Sequence, residues 1–110
     1  MLLIKEVWFE AAHKLDITGP CGRLHGHSYK VLFEVDGPVR DSGMVIDFSQ
    51  LKEITNQFDH QYLNELPIFQ GEQTTAENIA TKIAGECRVL GLMGKITVWE
   101  TRNNAACAVV

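Results

Sequence analysis

From His25 to Val35 the chain alternates, with His25, His27, Tyr29, Val31, Phe33 and Val35 on every second position. Successive side chains leave a β-strand on opposite sides, so a period of two marks a strand with one buried face. The earlier stretch Ile4 to His13 repeats the pattern: Val7, Phe9, Ala11 and His13 share one parity, and Lys5 is the one polar residue of that set. Between the two lies the turn-rich Asp16-Ile17-Thr18-Gly19-Pro20-Cys21-Gly22. Two such strands joined by such a turn are expected to pair as an antiparallel hairpin.

The rest of the chain must cover the apolar face of that hairpin. After the breaks at Gly37-Pro38 and Ser42-Gly43, Asp47 can cap a helix with Gln50 at the capping-box spacing, and Phe48, Leu51, Ile54, Thr55 and Phe58 follow at helical intervals. A second helix opens at Thr74 or Thr75 and carries Ala76, Ile79, Ala80, Ile83, Cys87 and Leu90 as an apolar stripe that stops at Gly91. Lys95 to Thr101 reads as a third strand, with Ile96, Val98 and Glu100 on one face, and Ala105 to Val110 as a closing strand. The order β-β-α-α-β-β predicts an α+β fold, a four-stranded antiparallel sheet with two helices on one face. With 110 residues there is room for one domain, 1–110. The open edges of such a sheet predict association with further copies.

Composition excludes several function classes. Hydrophobic residues make up 45% and charged residues 22%, the balance of a chain that buries a core. Net charge is -4 and Lys and Arg form no run, so no phosphate-neutralising stripe for nucleic acid is expected. No apolar run approaches the roughly 20 residues of a membrane span. Glu6 interrupts the N-terminal apolar stretch, which predicts no secretory signal and a cytoplasmic location. Cys21, Cys87 and Cys107 are odd in number without Cys-x-x-Cys spacing, so free thiols are expected.

The histidines carry the chemical signal. His25-Gly26-His27 sets two imidazoles on one side of a strand, and His13 ends the neighbouring strand on the matching parity, so the hairpin can bring three ring nitrogens together. Three neutral histidines without a fourth protein ligand are the donor set of a catalytic zinc site, whose vacant position takes water or substrate. Cys21, beside this cluster and Arg23, reads either as a thiolate that acts as base or nucleophile, or as a further metal ligand. Asp59-His60 closes the first helix; for the pair to cooperate in proton transfer, the segment must be irregular. Glu100 on a buried parity calls for a partner, because an unpaired buried carboxylate costs several kcal/mol. Glu77 has a local explanation, as the third residue of a helix capped by Thr74.

Phe9-Glu10-Ala11-Ala12-His13, Cys21-Gly22-Arg23-Leu24-His25-Gly26-His27-Ser28-Tyr29, Met44-Val45-Ile46-Asp47-Phe48, Asp59-His60-Gln61-Tyr62-Leu63-Asn64, Thr75-Ala76-Glu77-Asn78 and Trp99-Glu100-Thr101 together resemble the 6-pyruvoyl-tetrahydropterin synthase family. Within it, the chain is most similar to the bacterial 6-carboxytetrahydropterin synthase branch. The resemblance spans essentially the whole chain and implies a tunnelling fold, with trimers whose sheets join into a barrel and stack as hexamers. It implies zinc held by His13, His25 and His27, catalysis by Cys21, Asp59 and His60 across a subunit interface, and a pterin gripped by Glu100 in a pocket lined by Thr75, Ala76 and Glu77. The implied substrate is 7,8-dihydroneopterin triphosphate. Its implied fate is carbon-carbon cleavage to 6-carboxytetrahydropterin, acetaldehyde and triphosphate, a step toward 7-deazaguanine compounds such as queuosine. Elimination of triphosphate to a pyruvoyl product is the nearest alternative, and a non-catalytic pterin- or purine-binding module with structural zinc is the alternative of another class. Two departures stand out: the segment Lys14 to Pro20 is short for the family, and Thr74 stands where a proline is common. Arg23 and Lys14 are candidates for contacts to triphosphate.

Overall fold

Alternation in the sequence becomes the spine of the structure, a computed structural model that describes residues 1–110. Strands β1 (Leu2–His13) and β2 (His25–Asp36) pair antiparallel over their full length, from Leu2 opposite Asp36 to His13 opposite His25. After β2 come helix α1 (Phe48–Asn56), a two-residue strand β3 (Gln61–Tyr62), helix α2 (Ala76–Val89), and strands β4 (Met93–Trp99) and β5 (Ala105–Val109). Short 3-10 turns occupy Pro20–Gly22, Leu63–Glu65 and Pro67–Phe69. No helix is long and apolar enough to cross a membrane.

The sheet has five strands in the order β3-β1-β2-β4-β5, not the expected four. The additional strand is parallel to β1, with Gln61 opposite Ala11 and Tyr62 opposite Ala12, so the sheet is mixed rather than antiparallel throughout. Two residues are too few to show a period, and this pairing is set from outside by the backbone of the preceding turn. β3 covers only the end of β1, which leaves the backbone edge from Leu2 to Phe9 without a strand partner.

One face of the sheet is sealed by both helices. Val7, Phe9, Ala11, Tyr29, Val31, Phe33, Val35, Ile96 and Val98 project from the strands into a single cluster with Leu51, Ile54 and Phe58 from the first helical segment and Ile79, Ala80, Ile83, Ala84 and Cys87 from α2. Cutting Leu51 or Ile83 to Ala in such a core costs about 2–5 kcal/mol. The expected apolar stripe of α1 is shorter by one residue, because Phe48 stays outside the core, 47% exposed. Asp47 caps α1 by accepting from the Ser49 N–H at 2.9 Å. Gly91 ends the second helical segment at φ 79°.

The opposite face is amphipathic. Leu2, Ile4 and Trp8 are exposed there. The Lys30 ammonium lies 4.4 Å from the Trp99 ring centre and 5.8 Å from that of Trp8, and 3.3 Å from a Glu6 carboxylate oxygen. Its stem and charge screen the aromatic surface from water. Register decides which face the histidines take: a one-residue slip of β2 would move His25 and His27 out of the core side and Gly26 and Ser28 into it.

Candidate metal centre

At the end of the hairpin, two backbone carbonyls fix protons on two imidazoles. His13 Nδ1 donates to the Thr74 carbonyl at 2.7 Å, and His25 Nδ1 to the Arg23 carbonyl at 2.6 Å. A carbonyl only accepts, so each Nδ1 carries the hydrogen and each neutral ring presents a bare Nε2. Those two Nε2 atoms are 3.1 Å apart. Facing lone pairs at that distance repel, and a cation or a proton between them removes the repulsion.

A third imidazole and a carboxylate aim at the same place. His27 Nε2 is buried without a hydrogen-bond partner, although Glu100 Oε1 is only 3.1 Å away. Close approach without hydrogen-bond geometry is what two donors facing a shared third point produce. Glu100 Oε1 is also 3.2 Å from His13 Nε2, and all four donor atoms lie within 4.8 Å of one another. Ligands at about 2.0–2.1 Å from a tetrahedral zinc sit about 3.3 Å from one another, so the donor set fits a metal ion. Burial holds the His27 pKa below its ordinary value; Glu100 opposes that shift, and His13 and His25 add to it. A ring kept neutral is a ring ready to ligate.

Beneath the donors lies a framework that the sequence pattern does not display. Asn64 donates to the Lys14 carbonyl at 2.7 Å and accepts from the Lys14 N–H at 3.0 Å and from the Thr74 hydroxyl at 3.2 Å. Thr74 itself is fully buried. Its carbonyl orients His13, so it is Thr75 that caps α2, accepting from the Asn78 N–H at 3.2 Å, where either threonine had been expected to serve. Ala76 is buried at the start of that helix, and Glu77, now its second residue, is exposed. Tyr29 stacks on Phe9 with ring centres 4.8 Å apart and meets His27 edge-on at 5.4 Å. Its hydroxyl is buried without a partner, and burial, with the Glu100 charge second, pushes the phenol pKa up.

Of the remaining site residues predicted from sequence, Glu100 joins the donors as a fourth, where three without a fourth protein ligand were expected, and Cys21, Asp59 and His60 stand apart from them. Cys21 is exposed in the Pro20–Gly22 turn and is not one of the four clustered donors. The turn closes through the Leu15 N–H on the Cys21 carbonyl at 3.1 Å, and a Cβ on Gly22 would overlap the Ile17 carbonyl oxygen. Glu100 lies beyond the end of β4 rather than within it, and its N–H is held by the Asn104 carbonyl at 3.0 Å. Asp59 and His60 do form a pair, His60 Nδ1 being 3.0 Å from Asp59 Oδ2. The irregularity this needs is present: His60 has φ 58°, and its N–H donates to the Glu10 carbonyl at 2.6 Å. The Glu10 N–H on Asp59 Oδ1, followed by the bond to His60, holds the Asp59 carboxyl below its usual range.

The His60 side chain is 80% exposed and lines an open cleft of about 530 Å³ with Glu10, Ala12, Gly26, Ser28 and Tyr62. A second cleft, about 580 Å³, lies across Gly26–Ser28 from the first and reaches Trp8, Lys30, Trp99, Glu100 and Arg102. Cys87 is excluded from chemistry, its thiol pushed up to about 12 by burial and then by the Glu86 charge.

The profile of a family described as 6-pyruvoyl tetrahydropterin synthase matches residues 2–109. A 6-carboxy-5,6,7,8-tetrahydropterin synthase of Synechocystis is 37% identical over 118 residues, covering 96% of this chain and 90% of its own. The 6-pyruvoyl tetrahydrobiopterin synthase of Homo sapiens is 30% identical over 123 residues, covering 91% and 85%. In three dimensions, the 6-pyruvoyl tetrahydropterin synthase of Caenorhabditis elegans superposes with a TM-score of 0.81 at 24% identity, over 100% of this chain and 95% of that one.

Proposed function

The chain belongs to the 6-pyruvoyl tetrahydropterin synthase family, whose members are enzymes of pterin metabolism, and from that premise we propose that it is a zinc enzyme converting 7,8-dihydroneopterin triphosphate to 6-carboxy-5,6,7,8-tetrahydropterin. Acetaldehyde and triphosphate leave, and the product serves 7-deazaguanine and queuosine synthesis in the cytoplasm. One catalytic domain, residues 1–110, does the work. The observation that carries the metal reading is the convergence of His13, His25 and His27, with two bare Nε2 atoms 3.1 Å apart. Support for the carboxy product over the pyruvoyl product comes from the Synechocystis relative, more similar than the human one at comparable coverage.

His13, His25 and His27 hold the zinc, and Thr74 and Arg23 keep two of those rings turned toward it. When bound, the metal supplies Lewis acidity to the side-chain hydroxyls of the substrate. Cys21, on the turn that leads into β2, takes a proton from the substrate side chain. Glu100 accepts the 2-amino and ring N–H groups of the pterin, in a pocket completed by Thr75, Ala76 and Glu77. His60 moves the second proton, oriented by Asp59.

His60 faces solvent from a cleft whose walls come largely from outer-face positions of the sheet, so it is offered to a neighbouring copy. The unpaired edge of β1 suits the same end, a trimer or hexamer with sites at subunit interfaces.

Incubation with 7,8-dihydroneopterin triphosphate tests the proposal, with products read by mass spectrometry. Equimolar acetaldehyde and carboxytetrahydropterin are the expected result. A pyruvoyl product without acetaldehyde replaces the carboxy assignment with the pyruvoyl one, and recovery of unchanged substrate from zinc-loaded protein removes both.

A further inference from the structure

One cleft beside the histidines gathers two cations. Of the residues expected from sequence to touch triphosphate, Lys14 lies in a hollow whose wall also carries Asp16 and Glu72, and Arg23 lines a different hollow without a second Lys or Arg. The cleft of about 580 Å³ across Gly26–Ser28 holds both Lys30 and Arg102. The one acid among its lining residues, Glu100, has a carboxylate oxygen turned to His13 and His27. Arg102 is exposed and pairs with no carboxylate.

Lys30 is set in place before any ligand arrives. It stands between Trp8 on β1 and Trp99 on β4 in one row across three strands, its ammonium 4.4 Å from the Trp99 ring centre. A cation confined between ring faces has little freedom left to lose on meeting an anion. Its carboxylate neighbour, Glu6, has a side chain 55% exposed, so water screens that attraction. Thr101 Oγ1 accepts the Asn103 N–H at 3.4 Å, which leaves its own proton to donate. Two cations and a hydroxyl around one cleft can meet several phosphate oxygens at once.

We propose that this cleft is an oligophosphate site in which Lys30 and Arg102 hold the triphosphate of the substrate. Naming that ligand as the tail of the substrate rests on the function proposed above, whereas the anion site does not. In dihydroneopterin triphosphate the phosphates hang from the carbon next to the last side-chain hydroxyl, so hydroxyls held at the histidines leave the phosphates close by. His27 belongs to the cleft wall, and the histidines and the two cations therefore face one continuous space. A pterin without phosphates leaves both cations unused, so the cleft selects the phosphorylated molecule.

Both tryptophans of the chain line the cleft, and their emission reports its occupancy. On the natural zinc-loaded protein, inorganic triphosphate is expected to change that emission saturably, with affinity falling as sodium chloride is raised. No saturable change overturns the site. Arg102→Ala and Lys30→Gln, shown intact by zinc content and melting temperature, should each weaken triphosphate about tenfold. Affinity unchanged in both variants overturns the site too, because the anion then sits elsewhere, on the metal for example. The source of the phosphates is read by equilibrium dialysis with neopterin and neopterin triphosphate, which share one ring. The variants are expected to weaken the second by the same factor and to leave the first unchanged. Neopterin triphosphate that binds without displacing inorganic triphosphate overturns the assignment to the substrate's tail. If the natural chain binds neither pterin, the function proposed above falls, and inorganic triphosphate decides the anion site by itself.

Discussion

His13 and His60 each place a ring nitrogen against an oxygen atom, and there the likeness ends. The His13 side chain is wholly buried, its Nδ1 fixed by Thr74 and its Nε2 among three further donors. The His60 side chain is 80% exposed, with Asp59 as its one charged partner. The first region gathers four donor atoms from one chain; the second is an ion pair open to solvent. The contrast sets the proposed grip on a metal, which needs rigidity and dryness, apart from the proposed delivery of a proton, which needs access.

The strongest way to break the contrast is to empty the first region. His27→Ala is expected to abolish stoichiometric zinc, measured by atomic emission, and to lower turnover by more than about a thousandfold. Zinc retained at one ion per chain would show that the buried cluster is not the metal site. Next come the groups on either side of the proposed interface. Cys21→Ala and His60→Ala should each keep zinc and lose about 10²–10⁴ in turnover. When the two variants are unfolded, mixed in equal amounts and refolded, a site shared between chains recovers about a quarter of natural activity. Failure to recover any places both groups in one chain's site.

Smaller effects sharpen the difference in rigidity. Asn64→Ala removes the clamp between β1 and the loop ahead of α2; it should cost about 1–3 kcal/mol in denaturant unfolding and weaken zinc binding about tenfold. Unchanged zinc affinity would mean that the loop does not brace the donors. The mildest test concerns Asp59. Its folded carboxyl is held below its ordinary value of 3.8, so its bonds are fully present above that value and are lost as pH falls through the depressed one. The Glu10 amide proton resonance should therefore titrate with a midpoint below 3.8. A midpoint at or above that value would contradict the hydrogen bond.

How much of this was legible beforehand follows from what each residue's position depends on. The hairpin and the stripe of α2 were readable because a repeated period survives any single exception, and the three histidines came with them, since parity alone sets their side of the sheet. β3 was not readable: Gln61 and Tyr62 are placed by the left-handed backbone of His60 and its bond to Glu10, which leave no mark in hydrophobicity. The start of α2 was ambiguous because Thr74 and Thr75 are equally able to cap, and a ring far away in sequence claims the Thr74 carbonyl. For Glu100, parity implied a partner without saying which, because the bend after Trp99 decides where the carboxylate reaches. Phe48 was misplaced because helical spacing does not say where the covered sector ends.

The unbroken zipper of β1 on β2 also bears on engineering. Because His13 faces His25 through strand pairing, the imidazoles meet through the ladder and are braced by Lys14 and Arg23 at the two ends of the span, whereas Cys21 rides on the turn between those ends. Grafts or deletions within residues 15–20, past the Lys14 clamp, are thus expected to move the thiol before the donors, so chain-length variants would retune the proposed reactivity with the proposed metal site left in place.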